Sequence, residues 1–183
     1  ASVYWYVDDK DELLRLAFEA TAGPPVSELA ARPIEPEHWR EGLRTAGAAI
    51  YEMIEAHPWV AEVMNDDPRS PIVMVLWDRI GQLLTAVGLD ADTAFHAGSA
   101  LMSLIGAAGA SAVREAHSKE DRDTRLGRAA GELAALDPAE FPFIINTIST
   151  YRRHNERDQF LGGLDLVLDG IASRVPGAGG SAS

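Results

Sequence analysis

Apolar residues in this 183-residue chain recur at intervals of three and four, and no stretch shows the alternation of a half-buried strand. That spacing lays one apolar stripe along a helix of 3.6 residues per turn, so the chain must bury helix against helix. Trp39, Leu43, Ala46, Ile50, Met53 and Ile54 form such a stripe on a helix that starts at Glu37 and ends near His57-Pro58. Phe160, Leu161, Leu164, Val167, Leu168 and Ile171 form another on a final helix over 158–174. The fold class is all-α.

Between these two the sequence predicts further helices. A short one runs over 59–64 and is closed by Asn65-Asp66-Asp67-Pro68. A longer one over 71–87, apolar on most sides, ends at Gly88. Residues 92–117 read as a helix that carries Gly98, Gly106 and Gly109. An interior glycine costs a helix about 1 kcal/mol relative to Ala, so three of them imply close approach of another helix. The charged stretch 118–136 reads as a mobile surface excursion, and a helix follows from Asp137-Pro138 to Tyr151. Thr21-Ala22-Gly23-Pro24-Pro25 reads as a helix stop, because proline cannot continue the hydrogen-bond ladder, with a loop over 26–36. The implied organisation is 1–22, 23–175 and a flexible tail over 176–183.

Composition narrows the classes. With 46% hydrophobic and 24% charged residues the chain can bury a core and is not of the disordered type. It has no Cys, hence neither disulfides nor thiolate chemistry, which suits a reducing compartment. No apolar run approaches the roughly 20 residues of a membrane span, and no basic segment precedes the N-terminal aromatics as in a signal peptide. The net charge of −12 disfavours phosphate neutralisation by the chain as a whole.

The opening residues carry the most specific signal. Tyr4, Trp5 and Tyr6 fall within one helical turn, followed by Asp8-Asp9-Lys10-Asp11-Glu12 and an apolar run from Leu13 to Phe18. Asp9 and Glu12 have the spacing of a capping box, in which side-chain oxygens satisfy the free N–H groups of a helix start. A core aromatic cluster would look similar. The whole register SVYWYVDDKDELL over 2–14, however, resembles the join between recognition helix and connecting helix in the TetR family of one-component transcriptional repressors.

That resemblance implies an all-α, TetR-like fold, with the end of a DNA-reading helix-turn-helix followed by a helical ligand-binding and dimerisation domain. The earlier part of the helix-turn-helix lies outside the sequence. Ser2, Tyr4, Trp5 and Tyr6 would face operator DNA, and Lys10, beside a helix N-terminus, would contact a backbone phosphate. A palindromic operator implies a homodimer. The resemblance places its interface on the glycine-bearing helix and the last helix, through Gly98, Gly106, Gly109, Leu161, Leu164 and Leu168. Close packing within one chain is the alternative reading of the same small residues.

A small-molecule inducer is the other implied partner. Candidates by position are Trp39, Ile50, His57, Met64, Trp77, His96, Met102 and Ile105, each of which plain core packing would also explain. In drug-binding members of the family an Asn and a Phe hold the drug where this chain has Ala46 and Ile50. A histidine ligates its Mg²⁺ where this chain has Met64. A thioether is a poor ligand for hard Mg²⁺, so no metal and no cofactor is expected. The linking helix over 9–22 would couple ligand to DNA, with Leu13 and Leu16 carrying the coupling. The location implied is cytoplasmic.

No enzyme is expected. The histidines at 57, 96, 117 and 154 make no HExxH pair, and neither a nucleophile elbow nor a phosphate-binding loop is present in the sequence. A helical protein–protein interaction module without an inducer remains the competing class.

Overall fold

The computed structural model describes residues 10–67, 69–153 and 155–177. Within them the chain is all-helical: α1 (Lys10–Ala31), a 3-10 turn (Pro36–His38), α2 (Trp39–Ala56), α3 (Trp59–Asp66), α4 (Pro71–Ala86), α5 (Ala91–His117), α6 (Arg122–Ala134), α7 (Pro142–Arg153) and α8 (Glu156–Ala172).

Local chemistry sets the helix ends. Ser70, Asp90, Asp121 and Asn155 each stand before a helix and accept from a backbone N–H of its first turn. That satisfies one of the donors a helix start leaves unpaired. After α4 the chain reverses at Gly88, whose φ of +96° is open to glycine and strained for other residues.

The glycine-bearing helix α5 is the centre of the bundle and packs on α2, α3, α4 and α8. By length and composition alone it is long and apolar enough to cross a membrane, contrary to the expectation that no apolar run approaches a span. Its glycines sit where neighbours come closest. A Cβ on Gly109 would stand 2.6 Å from that of Ala61 on α3, and one on Gly98 would stand 3.3 Å from the Trp77 indole on α4. Helices α2 and α8 run antiparallel along each other. Ion pairs Arg40–Asp169 at 2.7 Å, Arg44–Asp165 at 2.9 Å and Arg157–Glu52 at 2.8 Å edge that seam. Exposed pairs contribute little stability. The seam itself is held by apolar contact, with Leu168 fully buried and the Tyr51 and Phe160 rings stacked at 5.0 Å.

Three expectations are corrected. First, α1 does not stop at Thr21 but continues through Pro24 and Pro25 to Ala31, so the boundary expected at residue 23 falls inside a helix. Two ladder hydrogen bonds are forfeited, and burial of Phe18, Ala22 and Val26 on one face holds the helix together regardless. Second, that buried face excludes Leu13 and Leu16, which are 44% and 39% exposed. Phe18 and Ala22 instead join Val60 of α3 and Val73 of α4 in a small core of their own. Third, the stretch expected to be a mobile excursion contains α6, which buries Leu126 and Ala130 and is tied to its surroundings by Arg125–Glu115 and Arg122–Glu156 ion pairs. Its charges had masked its short apolar stripe.

Candidate functional site

A cavity of about 490 Å³ opens where the end of α1 meets α2 and α4. Its formation follows from the sequence. Once α1 ends at Ala31, Arg32 and Pro33 carry the chain across to the 3-10 turn, leaving a gap between α2 and α4 that no side chain of this connection fills. Ile50, Leu76, Ile80, Leu101, Ile105 and Leu164, from α2, α4, α5 and α8, form the apolar interior. Gly47 lets α8 close the far side, since a Cβ there would stand 2.7 Å from Leu164 Cδ2. The size and the apolar lining suit an organic molecule of drug dimensions.

Polar groups gather at the mouth. Arg32, Glu35, His38, Glu41, Thr45 and Arg79 line it. His38 lies 3.5 Å from Glu35, and Arg32 pairs with Glu28 at 2.9 Å. The guanidinium of the half-buried Arg79 donates to the backbone carbonyl of Arg32 and, at 3.5 Å, to the side-chain oxygen of Gln82. Nothing in this arrangement forms a nucleophile–base pair. Among the described residues no group of three or more His, Asp or Glu side chains is arranged to hold a metal.

Of the residues expected to line a ligand site, the structure brings Trp39, Ile50 and Ile105 together at this cavity, with Ala46 beside them. The others lie elsewhere. His57 caps α2, its backbone N–H donating to Met53 O at 2.9 Å, and its exposed ring faces Trp59. Met64 and Met102 pack between the two parts of the core. Trp77 is half-buried between α4 and α5, with its indole against Gly98 and edge-on to Phe95 at 5.8 Å. His96 is exposed on α5, 5.7 Å from the same Phe95 ring.

Arg32, Arg79 and the apolar residues of α4 were missed as lining. Periodicity marks which face of α4 is inward without showing that the inward space is partly empty, and Arg79 looks like any surface arginine in sequence.

The six residues expected at a subunit interface pack within this chain. Leu161, Leu164 and Leu168 are buried, as are Gly98 and Gly109, and Gly106 is half-buried facing Asn65. Of the residues expected at DNA, Lys10 is the exposed first residue of α1, and Ser2, Tyr4, Trp5 and Tyr6 lie outside the described residues.

Residues 32–175, from the cavity mouth to just past the last helix, match the model of the tetracyclin repressor-like C-terminal domain. The chain belongs to the TetR family of transcriptional regulators. A solved TetR-family regulator of Streptomyces coelicolor, SCO7222, is 32% identical and superposes with a TM-score of 0.76, covering 95% of this chain and 82% of that one. The ActR protein of the same organism, solved in complex with actinorhodin, is 24% identical with a TM-score of 0.73 over 97% of this chain and 81% of its own, a likeness of fold. A curated HTH-type transcriptional regulator of Saccharopolyspora erythraea is 27% identical over 105 residues, or 57% of this chain. The match spans 43% of that relative's length. The TetR family is one of regulators, not of enzymes.

Proposed function

We propose that this chain is the ligand-binding and dimerisation part of a ligand-responsive transcriptional regulator, most simply a repressor, of the cytoplasm. In this reading it binds a palindromic operator as a dimer and is released by a small apolar or aromatic molecule. The observation that carries the proposal is the apolar cavity of about 490 Å³, bounded by the C-terminal end of α1, the helix that follows in sequence the residues expected at DNA. A molecule that fits one position of α1 better than another shifts the population of the two, and with it the spacing of the reading heads. An interaction module with no inducer has no use for such a cavity.

The test is a melting-shift screen of the chain against aromatic and polycyclic molecules, repeated with Ile50→Trp, which fills the cavity. Hits that vanish in the variant support the reading. Hits that persist unchanged, or no hits from a broad panel, count against it.

The dimer is carried by exposed stripes. On α8, Gly162, Leu166 and Gly170 are exposed at intervals of four, with Leu166 74% exposed, and on α5, Ala100, Ser103 and Ala107 are exposed in turn. Small residues around one large apolar side chain suit close helix packing about a two-fold axis. Leu166→Glu is expected to shift sedimentation from dimer to monomer; a dimer unaffected by it would place the interface elsewhere.

A further inference from the structure

Resting on the reading of the cavity between α1, α2 and α4 as a ligand site, we infer that its ligand is an organic anion: an apolar ring system bearing one carboxylate, sulfonate or phenolate that is met by Arg79.

Arg79 sits on α4 between Leu76 and Leu83, both of which line the cavity with it. Arg79 as a residue is half-buried, and the partners of its guanidinium are neutral: the Arg32 carbonyl and the Gln82 amide oxygen. None of the described carboxylates forms an ion pair with it. Asp78, its neighbour on α4, is engaged by Gln82 at 2.6 Å instead. The other charges of the mouth are accounted for differently. Arg32 is paired with Glu28, and Glu35 faces His38. Glu41 is exposed in the first turn of α2, where water solvates it.

A guanidinium bonded only to neutral acceptors forgoes the stronger charge-assisted hydrogen bonds that an anion would supply. Its five donors form a planar fork that fits a two-oxygen anion, and two neutral acceptors do not use that capacity. An anion entering the cavity completes the site, with its apolar body against the floor and its charge at the rim. A cationic ligand would set its charge against Arg79.

Two fluorescent probes separate charge from shape. One is the anion 8-anilino-1-naphthalenesulfonate; the other is N-phenyl-1-naphthylamine, which has the same rings without the sulfonate. Titrated into the full chain, the anion is expected to bind at least about tenfold more tightly, as a charge-assisted hydrogen bond provides. Its affinity alone should fall as salt is raised. Arg79→Met keeps the aliphatic stem and removes the charge, so it should abolish the preference while leaving the neutral probe within about twofold. Equal affinities for the two probes, or a preference retained in Arg79→Met and insensitive to salt, overturn the inference. Ile50→Trp tests the cavity separately. Loss of both probes there with no anion preference in the wild type sinks the anion and leaves the cavity standing. Binding of both probes unaffected by Ile50→Trp sinks the cavity reading and the anion with it.

Discussion

Gly109 of α5 lies so close to α3 that a Cβ on it would stand 2.6 Å from the Cβ of Ala61. Neither atom can swing aside, because a Cβ moves only with its backbone. Gly109→Ala therefore has to push α3 and α5 apart, and the expected net loss is about 1–3 kcal/mol even after the better helix propensity of Ala. Urea unfolding at fixed protein concentration reads it directly. Adding Ala61→Gly should recover part of the loss, whereas Gly131→Ala, on an exposed turn of α6 with nothing within 4 Å, should raise stability by about 0.5–1 kcal/mol. A Gly109→Ala chain as stable as the parent would mean that the two helices do not meet this closely.

The prolines of α1 supply the opposite case. Pro24 and Pro25 occupy the interior of a helix, where each removes a hydrogen bond to the residue four before it. Since the helix forms anyway, Pro25→Ala restores a bond to Thr21 O and should stabilise the chain by about 1–3 kcal/mol. A loop at this point, as the sequence predicted, would give the reverse sign: Ala for Pro in a loop loosens the unfolded chain and costs stability. The direction of the melting shift thus distinguishes helix from loop.

These two places show what sequence can and cannot carry. The stripes of α2 and α8 are visible because apolar spacing encodes them locally, and so is the need for close packing at Gly98 and Gly109. The course of α1 is not, because its continuation past two prolines depends on Phe18 and Val26 finding partners on other helices. Helix α6 was hidden for a related reason, its burial being confined to Leu126 and Ala130 amid charged residues. The cavity is legible only in part. Trp39, Ile50 and Ile105 could be expected from position, while Arg79 acquires meaning only once α4 is laid against the end of α1.

Phe18 is the residue that fastens α1 to the bundle, 1% exposed among Ala22, Val60 and Val73. Phe18→Ala empties an aromatic site and should cost about 3–5 kcal/mol in denaturant unfolding. Leu16, on the same helix but 39% exposed, should tolerate Ala within about 0.5 kcal/mol. If α1 transmits ligand occupancy, its transmission runs through Phe18 and Val26. Equal costs for the two substitutions would mean that α1 rests on the bundle differently.

Met64 bears on which ligands are excluded. It packs in the core beside the Phe18 cluster and does not line the cavity, so the position that the family resemblance matches to a magnesium-ligating histidine carries here a thioether turned elsewhere. Mg²⁺ takes oxygen ligands in an octahedral arrangement and gains nothing from such sulfur. Calorimetry with tetracycline is expected to show no Mg²⁺-dependent binding, and a magnesium-dependent heat would contradict this placement.

Tyr51 makes the fold sensitive to alkali. Only 6% exposed and stacked on Phe160, its phenol is pushed up to about 12, first by burial and then by the Glu55 and Glu156 carboxylates. A buried phenol resists ionisation because the charged form loses its hydration. The unfolded chain releases this proton near pH 10. Below that the folded and unfolded states hold it equally, and the stability it confers is fully present. Between about pH 10 and 12 the unfolded state has lost the proton that the folded state still holds, so stability falls as pH rises. Ultraviolet titration at the phenolate band should show one tyrosine ionising near 12, and Tyr51→Phe should remove that step and flatten the alkaline limb of stability against pH. A Tyr51→Phe chain with the same alkaline limb would assign the loss to another group.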